Sequence, residues 1–300
     1  MVGPISTGSL RLDLALGIGG IPRGLITELY GPEASGKTTL CQHIIAEAQK
    51  QGGVCAFIDG DHTLEPRYAT RLGIDPNRLY ICEPPCEEQA LEIAEALARS
   101  RGIAVLVIDS ALSLPPRSEI QGRLGESHFK AQSRLLSLSL RKLSTAIRST
   151  ATAIVLTTQA RRNPEDVYHP SDASSAGLAI KLHAGLRLEL SLLDTIQNKG
   201  VVIGNRVHIR VRKNKLGTPF RTIVLELLYN EGVIKTGEIL DIGIETSIIA
   251  RQGPTFFYRD LQIGEGRENA YNFLRHNLKI SQEIESLIRQ HLLSPFPLLS

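Results

Sequence analysis

Eight consecutive residues, Gly31-Pro32-Glu33-Ala34-Ser35-Gly36-Lys37-Thr38, fit the pattern G-x-x-x-x-G-K-[ST]. The chemistry that needs this spacing is the binding of a nucleoside triphosphate. Glycines let backbone N–H groups wrap phosphate oxygens, and a helix N-terminus adds its dipole. Lys37 supplies a positive charge for the β- and γ-phosphates, and Thr38 a hydroxyl for Mg2+. The apolar run Leu25-Ile26-Thr27-Glu28-Leu29-Tyr30 comes directly before the pattern, and a helical pattern over 37–51 follows it. A strand before and a helix after are the context the motif requires.

A carboxylate at the end of a buried strand completes such a site. Val105-Leu106-Val107-Ile108-Asp109-Ser110 offers Asp109, expected to hold Mg2+ through water. Hydrolysis also needs a group that positions or deprotonates the attacking water. Asp61, just past the strand tip Phe57-Ile58-Asp59, is the expected base, and Asp59 competes with it. Thr157-Thr158-Gln159 places Gln159 at another strand end, as an uncharged sensor of a γ-phosphate. Asn214-Lys215-Leu216-Gly217 begins like the guanine-reading N-K-x-D but lacks the final Asp, which favours adenine. The expected cofactors are ATP and Mg2+.

These residues need a scaffold, and the pattern around them predicts one. Strands at 25–30, 54–58, 103–108 and 152–157 alternate with helices at 37–51, 87–100 and 129–149. Such alternation implies right-handed crossovers and a mostly parallel central sheet flanked by helices, an α/β fold. After residue 184 the pattern turns to strands alone, at 185–191, 205–212 and 222–228, expected to extend the sheet in antiparallel fashion. From about Thr236 helical stretches at 237–249, 266–276 and 281–293 flank a hairpin near 254–262. The domains are therefore expected at 1–235 and 236–300, the second a small α+β unit.

The composition is that of a globular protein: 42% hydrophobic and 22% charged over 300 residues. No apolar run reaches the ~20 residues of a membrane span. Cys41, Cys55, Cys82 and Cys86 are too few for a disulfide scaffold and have poor metal spacing, so reduced thiols in a cytoplasmic protein are expected. A net charge of +3 permits nucleic-acid binding without announcing it, so the distribution of charge must decide.

That distribution points to single-stranded DNA. On the 129–149 helix, Leu136, Leu140, Leu143 and Ile147 form an apolar stripe, with Lys130, Arg134, Ser137, Arg141 and Arg148 on a neighbouring face. Two long loops are expected at 114–128, with Arg117 and Arg123, and at 160–177, with Arg161, Arg162, Tyr168 and His169. Structureless loops of this length in a compact domain are usually functional. Basic groups neutralise phosphates and an aromatic can stack on bases.

Several ordered motifs together resemble the bacterial RecA recombinases, nearly from end to end. They include Ile5-Ser6-Thr7-Gly8-Ser9-Leu10, the phosphate loop through Thr39-Leu40, Glu88-Gln89-Ala90-Leu91-Glu92-Ile93, Val107-Ile108-Asp109-Ser110 and Gly125-Glu126-Ser127-His128. Lys213-Asn214-Lys215 and Gly264-Glu265-Gly266-Arg267-Glu268-Asn269-Ala270 extend the match towards the C-terminus. The resemblance implies a RecA-like P-loop NTPase core. It implies an ATP-dependent recombinase that forms helical filaments on single-stranded DNA, pairs it with homologous duplex DNA and exchanges strands, with ATP between subunits. It gives Glu33, Lys37, Thr38 and Thr39 phosphate-loop roles, Asp109 the Mg2+ role and Asp61 the position of the family's catalytic Glu. Gln159 falls at the γ-phosphate sensor, and Glu65 and Tyr68 at adenine-contacting positions. Lys213 and Lys215 match the pair that reaches a neighbour's ATP. Arg134, Arg141, Arg161 and Tyr168 fall in the DNA-contacting helix and second loop.

Departures from the family pattern qualify these expectations. Members usually carry an extra N-terminal arm that docks on the adjacent subunit, whereas Met1 here stands four residues before Ile5. A truncated chain or a paralogue that assembles differently is expected, and the acidic C-terminal tail of many members is missing. Asp61 is one methylene shorter than Glu, retracting the carboxylate by roughly 1–1.5 Å, a misplacement that can cost about a hundredfold in rate. The expected activity is thus DNA-stimulated but slow ATP hydrolysis. The alternative is a nucleotide-gated DNA-binding paralogue with little or no hydrolysis, acting on a full-length recombinase. A small-molecule kinase is the weakest reading, because no acceptor-pocket signature or arginine-bearing lid is evident.

Overall fold

A computed structural model of the chain describes residues 3–121, 129–159 and 175–293. Its centre is a nine-stranded sheet. The strands β1 (Ile26–Gly31), β2 (Val54–Asp59), β3 (Leu79–Cys82), β4 (Ile103–Asp109), β5 (Ala153–Gln159) and β6 (Leu186–Asn198) run parallel, in the order β3-β2-β4-β5-β1-β6. Then β7 (Val201–Asn214), β8 (Thr222–Leu228) and β9 (Gly232–Val233) continue it antiparallel.

The helices before and between these strands are α1 (Leu10–Leu16), α2 (Lys37–Lys50), α3 (Pro66–Arg71), α4 (Glu87–Arg99), α5 (Arg117–Gln121), α6 (Phe129–Thr150) and α7 (Ser175–His183). The β4 side chains show why the sheet is covered on both faces. Val105 and Val107 join a core with Leu40, Ile44 and Ile45 of α2. Leu106 and Ile108 join a second core with Leu91 of α4, Leu140 of α6 and Ile180 of α7. An apolar residue at every β4 position before Asp109 is what a two-sided burial demands. Each such fully buried aliphatic contributes roughly 1.5–3 kcal/mol.

The C-terminal region holds α8 (Lys235–Glu245), β10 (Ile249–Gln252), β11 (Thr255–Tyr258), β12 (Leu261–Glu265), α9 (Arg267–His276) and α10 (Leu278–Leu292). Its own core includes Leu240, Ile249, Phe256, Ile263, Leu274 and Ile288, and Leu10 of α1 inserts into it. Asp13 of α1 is fully buried and accepts from Arg289 of α10 at 2.7 Å. These contacts tie the N-terminal segment to the last helix.

Three expectations require correction. The first strand after residue 184, β6, pairs parallel with β1, because α7 is one more crossover that returns the chain to the starting edge. Antiparallel pairing begins only at β7, across the turn at 199–200. The hairpin at 254–262 is part of a three-stranded antiparallel sheet, because residues 249–252, expected to be helical or connecting, pair with β11. The stretch 114–121 is not structureless, since α5 occupies Arg117–Gln121, and Ser175–Gly177 open α7. Arg123, Arg161, Arg162, Tyr168, His169 and Gly125-Glu126-Ser127-His128 lie outside the described residues, and so does the side chain of Lys130.

Candidate functional site

The phosphate loop leaves the C-terminal end of β1 and enters α2. Two glycines are dictated by contacts. A Cβ on Gly31 would stand 2.0 Å from the Leu190 carbonyl oxygen of β6. Gly36 is the N-cap of α2 at φ 84°, and a Cβ there would stand 2.4 Å from Leu227 Cδ1. Inside the loop, buried Ser35 donates its hydroxyl to the Pro32 carbonyl at 2.8 Å. Lys37 donates its ammonium to the carbonyls of Gly31 at 3.0 Å and Pro32 at 2.7 Å. Burial lowers the Lys37 pKa from its ordinary value, opposed by the negative charges of Asp109, Glu33 and Asp61 around it.

Asp109, at the end of β4, meets this loop directly. Thr38 Oγ1 donates to its Oδ2 at 2.6 Å, and Thr157 Oγ1 of β5 donates to its Oδ1. Burial raises the Asp109 pKa in spite of both hydroxyls, and the charges of Asp61 and Asp59 raise it further. A buried carboxylate beside other carboxylates is what a cation relieves. The oxygen donors, one hydroxyl and one carboxylate, suit Mg2+, which keeps several waters and needs few protein ligands. Among the described residues no cluster of three or more His, Cys, Asp or Glu could hold a metal ion by itself. Thr157 was not anticipated from sequence, although its place one turn of the pleat before Gln159 carries the signal.

The two acidic candidates for the base separate cleanly. Asp59 is buried, and its two oxygens accept the N–H groups of Thr63 at 3.1 Å and Leu64 at 2.9 Å, so it shapes the turn after β2. Asp61 is exposed, and its charge acts on both Lys37 and Asp109. Gln159 is exposed at the tip of β5 and is the register partner of Gly31. Thr39 and Glu33 stand on α2 and the loop as the motif requires. Glu65 caps α3, accepting from the N–H groups of Arg67 at 3.1 Å and of Tyr68, so those two residues form a local unit on α3.

Lys213 and Lys215 are not brought to this loop. Lys213 is opposite Arg187, which is opposite Glu28, and Lys215 donates its N–H to Gly185, which pairs with Ile26. At 3.3 Å per residue they lie about 10 and 16 Å back along the strands from Gly31, and two strands across. Lys213 instead donates to the carbonyls of Lys181 at 2.8 Å and Leu182 at 3.3 Å, capping the end of α7. On α6, Leu136, Leu140, Leu143 and Ile147 are buried while Arg134 and Arg141 are exposed, as the two stripes predict. Burial lowers the His183 pKa, and the positive charges of Arg141, Lys215 and Lys213 lower it further, so these cations gather at one corner of α6, α7 and β7. Cys41, Cys55, Cys82 and Cys86 are free thiols. No helix among the described residues is long and apolar enough to cross a membrane.

The family model for the RecA N-terminal domain matches residues 1–234, and that for the RecA C-terminal domain matches residues 237–293. The chain is 45% identical over 287 residues to "Protein RecA" of Paramagnetospirillum magneticum, covering 96% of this chain and 80% of that protein. It is 46% identical over 286 residues to "Protein RecA" of Clostridium tetani, covering 95% and 82%. To "Protein RecA" of Roseiflexus sp. it is 46% identical over 287 residues, covering 96% and 81%.

Proposed function

The chain belongs to the RecA family and is a recombinase of DNA repair and strand exchange, and from that premise we propose that it works by DNA-stimulated ATP hydrolysis at the β1–α2 loop. The observation that carries this is the hydrogen bond from Thr38 to Asp109, which joins the phosphate loop to the end of β4, a buried strand two places from β1 in the sheet. Gly31, Glu33, Ser35, Gly36, Lys37, Thr38 and Thr39 cradle the triphosphate. Thr38 and Asp109 hold Mg2+, which when bound neutralises charge on the phosphate oxygens. Lys37 exchanges its bonds to Gly31 and Pro32 carbonyls for phosphate oxygens. Asp61 orients and deprotonates the attacking water, and Gln159 senses the γ-phosphate from its place beside Gly31.

Lys213 and Lys215 serve the nucleotide of another subunit, since their own loop lies beyond reach. Glu65 and Tyr68 contact adenine. Single-stranded DNA is held by Arg134 and Arg141 of α6 together with Arg161 and Tyr168, and homologous duplex DNA is then paired along a helical filament. The functional division of the chain falls at 235–236, between an ATPase core and a small C-terminal domain, and the site of action is the cytoplasm. The accessory paralogue without hydrolysis is not favoured, because relatives at about 45% identity over nearly the whole chain are themselves named "Protein RecA".

The test is ATP turnover with and without single-stranded DNA, in the wild type and in Lys37→Ala. Turnover that rises with DNA and vanishes in the variant is the expected result. Absence of DNA binding and of stimulation at low salt, with ATP present, overturns the proposal.

A further inference from the structure

A buried charge pair lies beneath the site and takes no part in the chemistry described above. Glu28 of β1 is 2% exposed and Arg187 of β6 is 6% exposed. Arg187 Nε donates to Glu28 Oε2, and the Thr158 hydroxyl of β5 donates to Glu28 Oε1 at 2.9 Å. One carboxylate thus joins three adjacent strands. The Arg187 guanidinium also lies 4.7 Å from the ring centroid of Tyr30, the residue before Gly31.

Two links lead outward from this trio. Thr158 is the neighbour of Gln159, whose register partner is Gly31. Arg187 is the cross-strand partner of Lys213, and Lys213 holds the last carbonyls of α7. Burial lowers the Lys213 pKa, and the Lys215 and Arg187 charges lower it further, so the positions of these two cations are energetically linked. A buried ion pair is costly to form, and removing one partner leaves an uncompensated buried charge, so the two groups depend on each other. Contiguous polar contacts of this kind can carry coupling between sites.

We infer that Glu28 is a positioning residue that transmits occupancy of the phosphate loop, through Thr158 on one side and Arg187–Lys213 on the other, to the tip of β5 and to α7. These two elements flank residues 160–174 in the chain. The inference rests on the reading of the loop as an ATP site with Gln159 as its sensor.

Amide hydrogen exchange on the full chain, with and without Mg2+ and a non-hydrolysable ATP analogue and without DNA, tests it. In the wild type the analogue slows exchange at 31–38, at 157–159 and over 175–183. Thr158→Val, which removes one hydroxyl at nearly constant volume, keeps the slowing at 31–38. It loses at least about fivefold of the slowing at 157–159 and 175–183. Thr158→Ser restores it, and Glu28→Gln, which removes the charge at constant shape, reproduces the loss. Equal slowing in the variants and the wild type overturns the inference, and so does a loss in Thr158→Val that extends to 31–38. Slowing at 31–38 of the wild type without any at the distant segments sinks the inference and leaves the ATP site standing. No slowing at 31–38 in the wild type sinks both.

Discussion

Thr38 and Asp109 are 71 residues apart in sequence and share a 2.6 Å hydrogen bond, the contact through which the phosphate loop meets the end of β4. Asp109 accepts at its other oxygen from Thr157, and burial holds its pKa above the usual carboxylate value. The site is therefore arranged around a carboxylate that gains from a nearby cation.

Replacing that carboxylate should separate stability from activity. Asp109→Asn removes a buried charge while keeping the shape, and the melting temperature without metal or nucleotide is expected to rise by about 2–4 °C. ATP turnover in Mg2+ is expected to fall by about a hundredfold or more. Thermal melts and steady-state hydrolysis on the same preparation check both, and a variant that is both cooler-melting and active contradicts the assignment.

Asp61 and Asp59 should respond in opposite ways to substitution. Asp61→Glu extends the carboxylate towards the site, and kcat is expected to rise by about tenfold or more, whereas Asp61→Asn should nearly abolish it. Asp59→Asn takes away an acceptor from the N–H groups of Thr63 and Leu64. It is expected to cost about 1.5–3 kcal/mol of stability. Turnover and urea unfolding of the three variants decide the roles.

The position of Lys213 and Lys215 calls for complementation between two inactive proteins. A Lys37→Ala chain keeps both distal lysines, and a Lys213→Ala/Lys215→Ala chain keeps its phosphate loop. Mixed one to one in an assembly, about a quarter of the interfaces combine an intact loop with intact lysines. ATP turnover in the mixture is expected to recover to that order. No recovery at any mixing ratio would place the lysines outside the reaction.

Stability should depend on pH through two groups whose pKa values burial shifts in opposite directions. His43 of α2 accepts the Val233 N–H at 2.9 Å, and burial pushes its pKa down to about 4 from 6.5. The unfolded chain binds a proton there between those values, so the contribution of neutral His43 is present above pH 6.5 and lost as pH falls through 4. Glu238 of α8 accepts from Ser9 Oγ at 2.7 Å and from the Arg11 N–H at 3.2 Å, and burial pushes its pKa up to about 7 from 4.5. Its contribution is fully present below pH 4.5 and lost as pH rises through 7. Glu238→Gln is expected to stabilise the fold by up to ~3 kcal/mol at pH 8 and little at pH 5. His43→Gln should flatten the acid limb only. Denaturant midpoints at pH 5, 6.5 and 8 read both effects.

Local pattern was enough for whatever depends on neighbours in the chain. The G-x-x-x-x-G-K-[ST] spacing needs only a strand before it and a helix after it, and both follow from apolar periodicity over 25–51. The continuous apolar run of β4 announced a strand buried on two faces, and the 3.6-residue stripe of α6 announced which of its residues would be covered. Asp109, Gln159 and Asp61 were legible as candidates because each ends or follows such a strand.

Tertiary structure decided whatever depends on strand order and on who reaches a polar atom first. Asp59 and Asp61 look alike in sequence, and only the fold shows that backbone N–H groups occupy one of them. The direction of β6 turned on α7, whose nine residues carry weak periodicity next to a polar stretch. Glu28 and Arg187, 159 positions apart, find each other because β1 and β6 are adjacent, a pairing that no local signal encodes. The same strand order and register set Lys213 and Lys215 two strands across from the loop and back along the sheet from it. Chemistry was written in short spacings, while the wiring between its parts arose from long-range pairing, which costs chain entropy and is settled only when the whole sheet closes.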